Sequence, residues 1–412
     1  MKKIKLLLLI FGFFLCITNS YAGDKSEIQI YDKKNISDIS DFKILKNNWI
    51  TKKIDQVLWG VATSNMHGQD NHEIILLERN AVRLYRIDGD KNISLITSYE
   101  WDSSLRGYRL YTMDLDNDGI EELVISGSAF GIPSSLILKI IDEKFSVLAK
   151  DIRRSLRVIE FDDLNINKNI KPKILAGQSW SSEAFFSGPI YSLTLNGNSI
   201  KQGKKIKLPK RIGIYDFAII PDNENDNIYE PQEVVILDGY SYLQILGKKK
   251  KRYKKIWSSS EKFGGSQNLI PAVERRPLGI ANDGYVIIDR EPKVILFNNE
   301  QYVVTLWHDL PLKNVIGQDP FIKTSRLVVF KKDQVLGYIK AFQTEDIQGY
   351  VSDFSIDFPD NINQCLSAND QKKKNIITDC VFQLLVAVQP DTSAFFNTAN
   401  SLLLSYTLPL NK

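Results

Sequence analysis

The chain is poor in the residue types that most catalytic and transition-metal sites require. Its 412 residues include three histidines, His67, His72 and His308, and three cysteines. A Ser-His-Asp centre needs a positioned imidazole base, and a zinc site needs several converging imidazoles or thiolates. The sequence has no Cys-x-x-Cys or His-x-x-x-His pair and no glycine-rich phosphate loop. These shortages argue against metallohydrolases, triad hydrolases and nucleotide-binding enzymes.

Long apolar runs are also scarce, and the one at the N-terminus is short. Lys2, Lys3 and Lys5 precede an apolar run from Leu6 to Ile17, which ends in Ser20-Tyr21-Ala22. This pattern is typical of a secretory signal peptide cleaved after Ala22. A membrane anchor is the less suitable interpretation, because a spanning helix needs about 20 apolar residues and this run is shorter. We therefore expect residues 1–22 to be a signal peptide, a periplasmic or extracellular location, and no transmembrane segment in the mature chain.

The mature chain has little net charge and few thiols. Removing the three signal lysines from 53 basic residues leaves 50, against 49 acidic residues. This balance gives no reason to expect a nucleic-acid partner. In an oxidising compartment, Cys365 and Cys380 are expected to form a disulfide worth about 3 kcal/mol, with a free thiol as the alternative.

The rest of the sequence consists of short β-branched and apolar runs separated by Gly, Asn, Asp and Ser. Seven such runs recur at intervals of roughly 50 residues: EIILL (73–77), ELVIS (122–126), KILAG (173–177), EVVIL (233–237), YVIID (285–289), RLVVF (326–330) and FQLLVAV (382–388). Four short strands per interval, with both sheet faces apolar, predict an all-β chain folded as a β-propeller. We expect seven four-stranded blades over residues 51–412, with six as the alternative and residues 23–50 as a lead-in segment.

The run DLDNDGIEE is the most chemically specific stretch. Carboxylates occupy positions 1, 3, 5 and 9 of the run, as Asp114, Asp116, Asp118 and Glu122, and Ile120 at position 7 would offer its carbonyl. Calcium prefers six to eight oxygen ligands, which this spacing supplies. An EF-hand would need a glutamate at position 12, where the chain has an isoleucine, and a helix would follow it. The pattern predicts a structural calcium loop in a β-hairpin, and the alternative is a solvated turn.

This loop, at the start of a repeating strand unit, resembles the calcium-loop repeat of FG-GAP/VCBS-type β-propellers, as in the integrin α-chain head. The phrases "FFSGPIYSL", "IYDFAII" and "IQGYVSDFSIDF" are similar to uncharacterised bacterial VCBS-repeat envelope proteins. The resemblance covers most of residues 50–408 and implies the propeller fold. It implies no activity, because those relatives have none assigned.

Other repeats depart from the calcium pattern. The first unit has Asn65, His67 and Gln69 at the equivalent positions, and the third unit retains only Asp162, so both metal sites are expected to be lost. The fourth unit keeps three acidic residues, which make a second, weaker candidate: Asp222, Glu224 and Asp226. In the last unit, Cys365 and Cys380 bracket the equivalent turn, where a disulfide would take over the role of calcium.

A basic run and two groups of aromatic residues each allow two interpretations, one structural and one in which they bind a partner. The run GKKKKRYKK (247–255) is either a solvated hairpin tip or a contact for an anionic lipid, polysaccharide or nucleic acid. The aromatic residues Trp180, Phe185 and Phe186, and the pair Trp257 and Phe263, either pack between blades or form a surface for sugar or protein.

Together these observations favour a non-catalytic, calcium-stabilised binding or scaffold module in the bacterial cell envelope. Its partner would be an envelope protein or a polysaccharide. The alternative is a propeller enzyme of the lyase or glycosidase type, which would need carboxylates with perturbed pKa values at the axial face. Asp162 and Asp163 are one acidic pair that such an enzyme could use.

Overall fold

The computed structural model describes residues 42–51, 53–64, 66–67, 73–87, 93–160, 162–163, 173–221, 227–275, 281–297, 300–309, 322–357, 381–390 and 400–409. The chain divides into residues 1–41, none of which is described, and residues 42–412. Within the described ranges we find no helix that is long and apolar enough to cross a membrane.

All the regular structure in these ranges is β-strand. The strands are β1 (Lys43–Leu45), β2 (Asn47–Ile50), β3 (Gly60–Ser64), β4 (Glu73–Leu77), β5 (Ala81–Ile87), β6 (Ile93–Glu100), β7 (Leu105–Met113), β8 (Glu122–Ala129), β9 (Ile132–Pro133), β10 (Ser135–Ile141), β11 (Lys144–Ile152), β12 (Ser155–Glu160), β13 (Asp162–Asp163), β14 (Lys173–Ser179), β15 (Ser187–Asn196), β16 (Ser199–Lys205), β17 (Phe217–Ile220), β18 (Glu233–Leu237), β19 (Tyr242–Lys249), β20 (Arg252–Lys262), β21 (Leu269–Arg275), β22 (Ala281–Ile287), β23 (Lys293–Phe297), β24 (Glu300–His308), β25 (Thr324–Asp333), β26 (Gly337–Thr344), β27 (Ile347–Gln348), β28 (Tyr350–Asp357), β29 (Val381–Gln389) and β30 (Leu402–Pro409).

The strands form six antiparallel four-stranded blades. From the inner to the outer strand they are β3-β4-β5-β6, β7-β8-β10-β11, β12-β14-β15-β16, β17-β18-β19-β20, β23-β24-β25-β26 and β28-β29-β30-β2, which we number blades 1 to 6. Successive inner strands contact one another from β3 to β23, β28 contacts β24 and β25, and β28 also contacts β3. The ring is therefore closed, and the chain is a six-bladed β-propeller.

The core lies between neighbouring blades. One apolar cluster joins blades 1 and 2 through residues such as Leu77 and Leu110, and another joins blades 4 and 5 through Phe263 and Phe330. Further clusters join blades 2 to 4, blades 5 and 6, and blades 6 and 1. Each blade buries both of its faces in this way, which explains why runs such as EIILL are apolar at consecutive positions.

The expectation of seven blades was wrong, because the fifth repeat is not a blade. The run YVIID at 285–289 overlaps β22, which pairs only with β21 in a two-stranded hairpin. The run RLVVF then falls on β25, the third strand of blade 5, and not on a second strand. A strand of a separate hairpin can have the same composition as a blade strand, so the sequence did not distinguish them.

The two ends of the propeller are joined by strand pairing. Strand β2 lies within the segment expected to be a lead-in, and it pairs with β30 to complete blade 6. Thr51 continues this junction, because its amide donates to the Leu403 carbonyl at 3.0 Å and its hydroxyl accepts from the Leu403 amide at 3.0 Å. Strand β1 pairs in parallel with β26 at the edge of blade 5.

Candidate functional site

The predicted calcium loop connects β7 to β8 in blade 2. Met113 pairs with Glu122 across this hairpin, so residues 114–121 form the connection. The carboxylate of Asp114 accepts hydrogen bonds from the amides of Asp118, at 3.2 Å, and Gly119, at 2.9 Å. Gly119 has a φ of 87°, a left-handed conformation that favours glycine. The loop is thus folded around its first aspartate.

Three of the predicted ligands converge on one point. Asp114, Asp116 and Glu122 each offer a carboxylate oxygen, and these oxygens lie within 4.8 Å of one another. Glu122 is fully buried; its Oε2 accepts from the Leu115 amide at 2.6 Å, while its Oε1 receives no hydrogen bond. Burial raises the pKa of Glu122. The buried Oε1 therefore needs a positive charge beside it.

Lys139 supplies that charge from the neighbouring strand β10. Its Nζ lies 2.7 Å from Asp116 Oδ2, 2.5 Å from Asp118 Oδ2 and 3.1 Å from Glu122 Oε1. Burial opposes the charge of the ammonium, but the bonds to these carboxylates outweigh burial and raise the pKa of Lys139. The hydrogen bond from Lys139 also lowers the pKa of Asp118. The ammonium thus lies beside two of the three converging carboxylates, Asp116 and Glu122, and also pairs with Asp118.

The chemistry of the loop fits calcium, with Lys139 as a competitor. Carboxylate oxygens are the ligands that calcium prefers, and Asp114, Asp116, Asp118 and Glu122 would supply them together with the carbonyl of Ile120. The structure shows Ile120 bonded through its amide, which donates to Asp118 Oδ1 at 3.0 Å. A bound calcium ion would have to displace the ammonium, and it would then hold the two ends of the hairpin together.

The position of Glu122 is charged and ion-paired in five blades. It is the first residue of the second strand, and its counterparts are Glu73, Lys173, Glu233 and Glu300, the last of which pairs with Lys331 at 2.6 Å. In blade 1, Glu73 Oε2 accepts from the Met66 amide at 3.0 Å, as Glu122 does from Leu115, and its Oε1 lies 2.5 Å from His67 Nδ1.

The cation or anion that pairs with this position differs between blades. Arg86 Nη2 lies 3.7 Å from Glu73, and Lys332 Nζ of blade 5 lies 3.3 Å from Glu233. In blade 3 the charges are exchanged, since Lys173 Nζ lies 2.7 Å from Glu121 of blade 2. Side chains of the protein therefore supply the counter-charge at these hairpins.

Several predicted residues lie outside the described part of the chain. These are the second calcium candidate, the two cysteines expected to pair and one histidine: Asp222, Glu224, Asp226, Cys365, Cys380 and His72. Asp162 and Asp163 form the short strand β13, which pairs with β23 of blade 5. Their backbones are therefore near the propeller axis.

A buried network of charges lies where the inner strands meet. Glu291, which precedes β23, is surrounded by three arginines: Arg290 Nη1 at 2.5 Å, Arg109 Nε at 3.6 Å and Arg157 Nε at 3.9 Å. Arg290 Nε also lies 2.5 Å from Asp353 Oδ1 on β28. Despite complete burial, the arginines hold the pKa of Glu291 well below its usual range.

The arrangement of this network is structural in character. Besides its ion pairs, Arg157 donates to the carbonyls of Ile214, at 2.8 Å, and Phe217, at 2.6 Å, and Asp353 Oδ2 accepts from the Val61 amide at 3.0 Å. The adjoining cavity, beside Tyr111 and Glu291, is about 40 Å³. That space suits a water molecule rather than a sugar.

A larger cavity, of about 650 Å³, opens beside blade 3. Two segments form most of its walls: residues 184–190, before and within β15, and residues 205–213, at the end of β16 and after it. Gln178 ties the two connections together, because its Nε2 donates to the carbonyls of Gly188, at 3.0 Å, and Ile212, at 3.1 Å. The cavity is therefore held open by ordered loops.

The lining of this cavity combines apolar surface with opposite charges. Phe185 and Phe186 lie edge-to-face with their centroids 5.1 Å apart. The basic residues Lys205, Lys210 and Arg211 are exposed and also line the cavity. Volume, apolar walls and a few polar groups are the usual features of a ligand site.

One acidic residue of the cavity, Asp216, has an altered protonation equilibrium. Burial, reinforced by nearby Asp289, raises the pKa of Asp216 to about 6. Its Oδ2 accepts from the Gly213 amide at 2.9 Å. A side chain at position 213 would meet this oxygen at 2.5 Å, so glycine allows the close approach. Asp216 can therefore gain and lose a proton near neutral pH.

The second aromatic group belongs to the core. Trp257 and Phe263 of blade 4 both pack against Phe330 of blade 5, with centroid distances of 5.5 Å. Trp180 is half-buried beside the cavity loops but does not line the cavity. Of the aromatic residues singled out in the sequence, Phe185 and Phe186 are the ones that contact it.

Sequence reasoning missed Lys139, Asp216 and the axial arginines. Lys139 could have been found by pairing ELVIS with SLILKII, since Leu123 lies opposite Leu138 and Glu122 is therefore next to Lys139. The axial arginines Arg109 and Arg157 carry a weaker signal, because each is a basic residue within an apolar inner strand, β7 or β12.

Comparison with known proteins adds little beyond the fold. No protein-family model matches the chain, and no curated protein matches it. Similar solved structures include Sqt1 of Saccharomyces cerevisiae, with 9% identity and a TM-score of 0.39, covering 90% of this chain and 100% of that chain. Another is a mitotic checkpoint complex, with 10% identity and a TM-score of 0.42, covering 95% of this chain and 99% of that chain. A third is AofleA of Arthrobotrys oligospora, with 9% identity and a TM-score of 0.43, covering 88% of this chain and 90% of that chain. At these identities and scores the likeness carries no information about function.

Proposed function

We propose that the protein is a non-catalytic binding module of the FG-GAP/VCBS propeller type that serves in the bacterial cell envelope, in the periplasm or outside the cell. The observation that carries the proposal is the 650 Å³ cavity beside blade 3. Its walls are ordered by Gln178 and by Ile206, whose amide donates to the Ile190 carbonyl at 2.9 Å. A preformed site binds without first ordering its loops, which favours affinity.

The axial charges support binding over catalysis. Glu291 and Asp353 lie near the propeller axis and are both paired with arginine, although burial raises the pKa of Asp353. A general acid needs a pKa near the working pH, whereas the arginines hold the pKa of Glu291 well below its usual range. These groups stabilise the centre of the propeller instead.

Calcium enters the proposal as a structural ion. Asp114, Asp116, Asp118 and Glu122 would bind it after displacement of Lys139, and it would brace the β7–β8 hairpin. With or without the ion, Asp116, Asp118 and Glu122 have a cation beside them, so the loop is a stabilising element and not the ligand site.

The proposal can be tested with a variant that fills the cavity. Residues 23–412 would be immobilised as wild type and as Ala184→Trp, since Ala184 lines the cavity. Both would be exposed to an envelope fraction of the producing cell, in calcium and in chelator. We expect the wild type to retain a component that Ala184→Trp does not.

A matched control carries the same substitution far from the cavity. Val335 is 77% exposed in the turn between β25 and β26, and Val335→Trp should bind as the wild type does. Equal retention by Ala184→Trp and the wild type would overturn the cavity as the binding site.

A second candidate function, hydrolysis or elimination of a polysaccharide, is favoured by one observation. Asp216 lines the cavity with a pKa of about 6, a value suited to a general acid or base. If this function is correct, purified protein releases new reducing ends from a polysaccharide panel, and Asp216→Asn abolishes the release while leaving the fold intact.

A further inference from the structure

Two segments of the chain carry a large share of its positive charge. Residues 199–211 contain six lysines and arginines, and residues 248–255 contain seven. Neither segment contains an aspartate or glutamate, and the whole chain has 53 basic residues. About a quarter of the basic residues thus lie in two short segments, which we call the cationic face.

The two segments of the cationic face touch each other. The hydroxyl of Tyr253 donates to the carbonyl of Lys207 at 3.0 Å, although the two residues belong to different blades. Lys207 and Lys248 both form ion pairs with Glu230, at 2.6 Å for Lys207. Lys204 Nζ lies 5.4 Å above the ring of Tyr229. The face is therefore one surface across blades 3 and 4.

Glu230 is the only acidic residue paired with this face among the residues that the structure describes. The lysines of the hairpin tip, Lys249, Lys250 and Lys251, are exposed, as are Lys254 and Lys255. Like charges gathered on one surface raise the local potential and attract a ligand of opposite charge. A polyanion would relieve their mutual repulsion.

Protection of exposed sheet edges does not account for this concentration. Lysines on outer strands discourage edge-to-edge association, and every blade has such an edge. Yet edge strands β16 and β20 carry seven basic residues between them, whereas β2, β6, β11 and β1, which covers β26, together carry three. Four of the six blades have no lysine cluster on their edge strand, so protection against edge-to-edge association does not explain the cluster on blades 3 and 4.

The cationic face runs into the cavity. Lys205, Lys210 and Arg211 belong to the first segment and line the cavity beside its aromatic residues. Lys207, which contacts Tyr253 of the second segment, lies between cavity residues Ile206 and Leu208. A long ligand could therefore occupy the cavity with one part and follow the lysines with the rest.

The composition of the face favours a polysaccharide among the polyanions. Single-stranded nucleic acids bind through aromatic platforms for their bases, but the hydroxyl of Tyr253 is tied to backbone carbonyls and Tyr229 is covered by Lys204. A membrane-binding loop would present an apolar side chain at its tip, where residues 249–252 are all basic. Lysines, as flexible point charges, suit the spaced carboxylates or sulfates of an acidic polymer.

We propose that the cationic face and the cavity together bind an acidic polysaccharide. The polymer's charged groups contact the lysines of blades 3 and 4, and one sugar unit enters the cavity against Phe186. This inference rests on the proposed function in one respect, namely that the cavity is a ligand site.

The experiment measures binding of the mature chain to polygalacturonate, which carries carboxylates, and to dextran sulfate, with neutral dextran as a blank. The test variant is K251E/K254E, and the matched control is K144E/K150E, which changes the net charge equally on the exposed outer strand of blade 2. We expect K251E/K254E to lose about tenfold or more in affinity, with a shallower salt dependence, and the control to lose less than about twofold.

Each outcome decides between alternatives. Equal losses in the two charge variants, or no binding of either polymer, would overturn the inference. Tighter binding to single-stranded DNA or to anionic vesicles than to both polymers would assign the face to another class of ligand. Ala184→Trp separates the two proposals. If polymer binding depends on Lys251 and Lys254 but is unchanged in Ala184→Trp, the cavity is not the ligand site, whereas the cationic face still binds the polymer.

Discussion

At the scale of single residues, Lys139 determines how the acidic loop is held. Asp114, Asp116, Asp118 and Glu122 could be recognised from the sequence because they lie within nine consecutive residues. Lys139 lies seventeen residues beyond Glu122 and reaches the loop only through the pairing of β8 with β10. The sequence thus predicted the carboxylates but not the cation beside them, because strand register is a tertiary property.

Lys139→Gln should have opposite effects on stability and on calcium binding. Without calcium, three carboxylates lose their counter-ion, and the melting temperature should fall, by about 1–2 °C per kcal/mol for a chain of this size. With calcium, the competing charge is gone, and calorimetry should show affinity about tenfold higher than in the wild type. Lys144→Gln, at an exposed site in the same blade, should change neither quantity. Absence of calcium binding in both Lys139→Gln and the wild type would leave Lys139 as the sole counter-ion.

Asp216 should give the protein a specific dependence of stability on pH. Its folded pKa of about 6 lies above the usual value of 3.8, so the folded state favours the protonated form. The resulting stabilisation is complete below about pH 4 and is lost as the pH rises through about 6. Asp216→Asn should therefore exceed the wild type in stability at pH 8, by on the order of 2 kcal/mol, but not at pH 4.

Urea denaturation at pH 4, 6 and 8 measures this difference. Glu183→Gln, an exposed substitution in the loop before Phe185, serves as the control and should follow the wild type at every pH. A constant difference between Asp216→Asn and the wild type across the three pH values would contradict the assignment.

At the scale of elements, sequence reasoning located strands well but assigned some of them incorrectly. The runs beginning at Glu73, Glu122, Lys173 and Glu233 are second strands of blades 1 to 4, as their spacing indicated. Hairpin β21–β22 made the count wrong, because the run that overlaps β22 resembles a blade strand while the hairpin lies against blade 2. Ile270 of this hairpin is fully buried. The Leu269 carbonyl accepts from Arg106 at 2.7 Å, and the Tyr108 carbonyl accepts from Asn268 at 3.1 Å. Burial requires apolar residues whether or not a strand belongs to a blade.

The closure by β2 was also hidden in the sequence, and Thr51 offers a test of it. Thr51→Val removes the acceptor of the buried Leu403 amide and should lower the free energy of unfolding by about 1–3 kcal/mol. Thr407→Val removes a more exposed hydrogen bond, from Asn48, and should cost less. Thermal melts and limited proteolysis at the N-terminal strand would measure both variants. Equal stability of the two would contradict a role for Thr51 in closing the ring.

At the scale of the whole molecule, the propeller is held by apolar contacts between blades and by charges at its centre. The axial network links Arg109 of blade 2, Arg157 of blade 3, Glu291 beside blade 5 and Asp353 of blade 6. Asp353 also accepts from Val61 of blade 1. A charge buried this deeply destabilises the fold unless an opposite charge is paired with it. Removing one charge of the network therefore leaves its partners buried without compensation and lowers the free energy of unfolding.

Glu291→Gln should therefore be among the most destabilising single substitutions in the chain. It would remove the carboxylate that all three arginines share, leaving Arg290 its pair with Asp353. We expect a loss of about 3–5 kcal/mol in the free energy of unfolding. The hydrogen bond from Tyr111, 2.9 Å from Glu291 Oε1, can persist with glutamine, so the loss reports on charge.

Chemical denaturation of Glu291→Gln and of Glu261→Gln measures this effect against an exposed ion pair. Glu261 pairs with Lys340 at 3.2 Å on the surface, where such a pair contributes up to about 1 kcal/mol. If both variants lost equally little, the axial network would contribute no more than a surface pair, and closure of the ring would rest on the apolar clusters between blades. A large loss in Glu291→Gln alone would mean that the inner strands need these charges to meet.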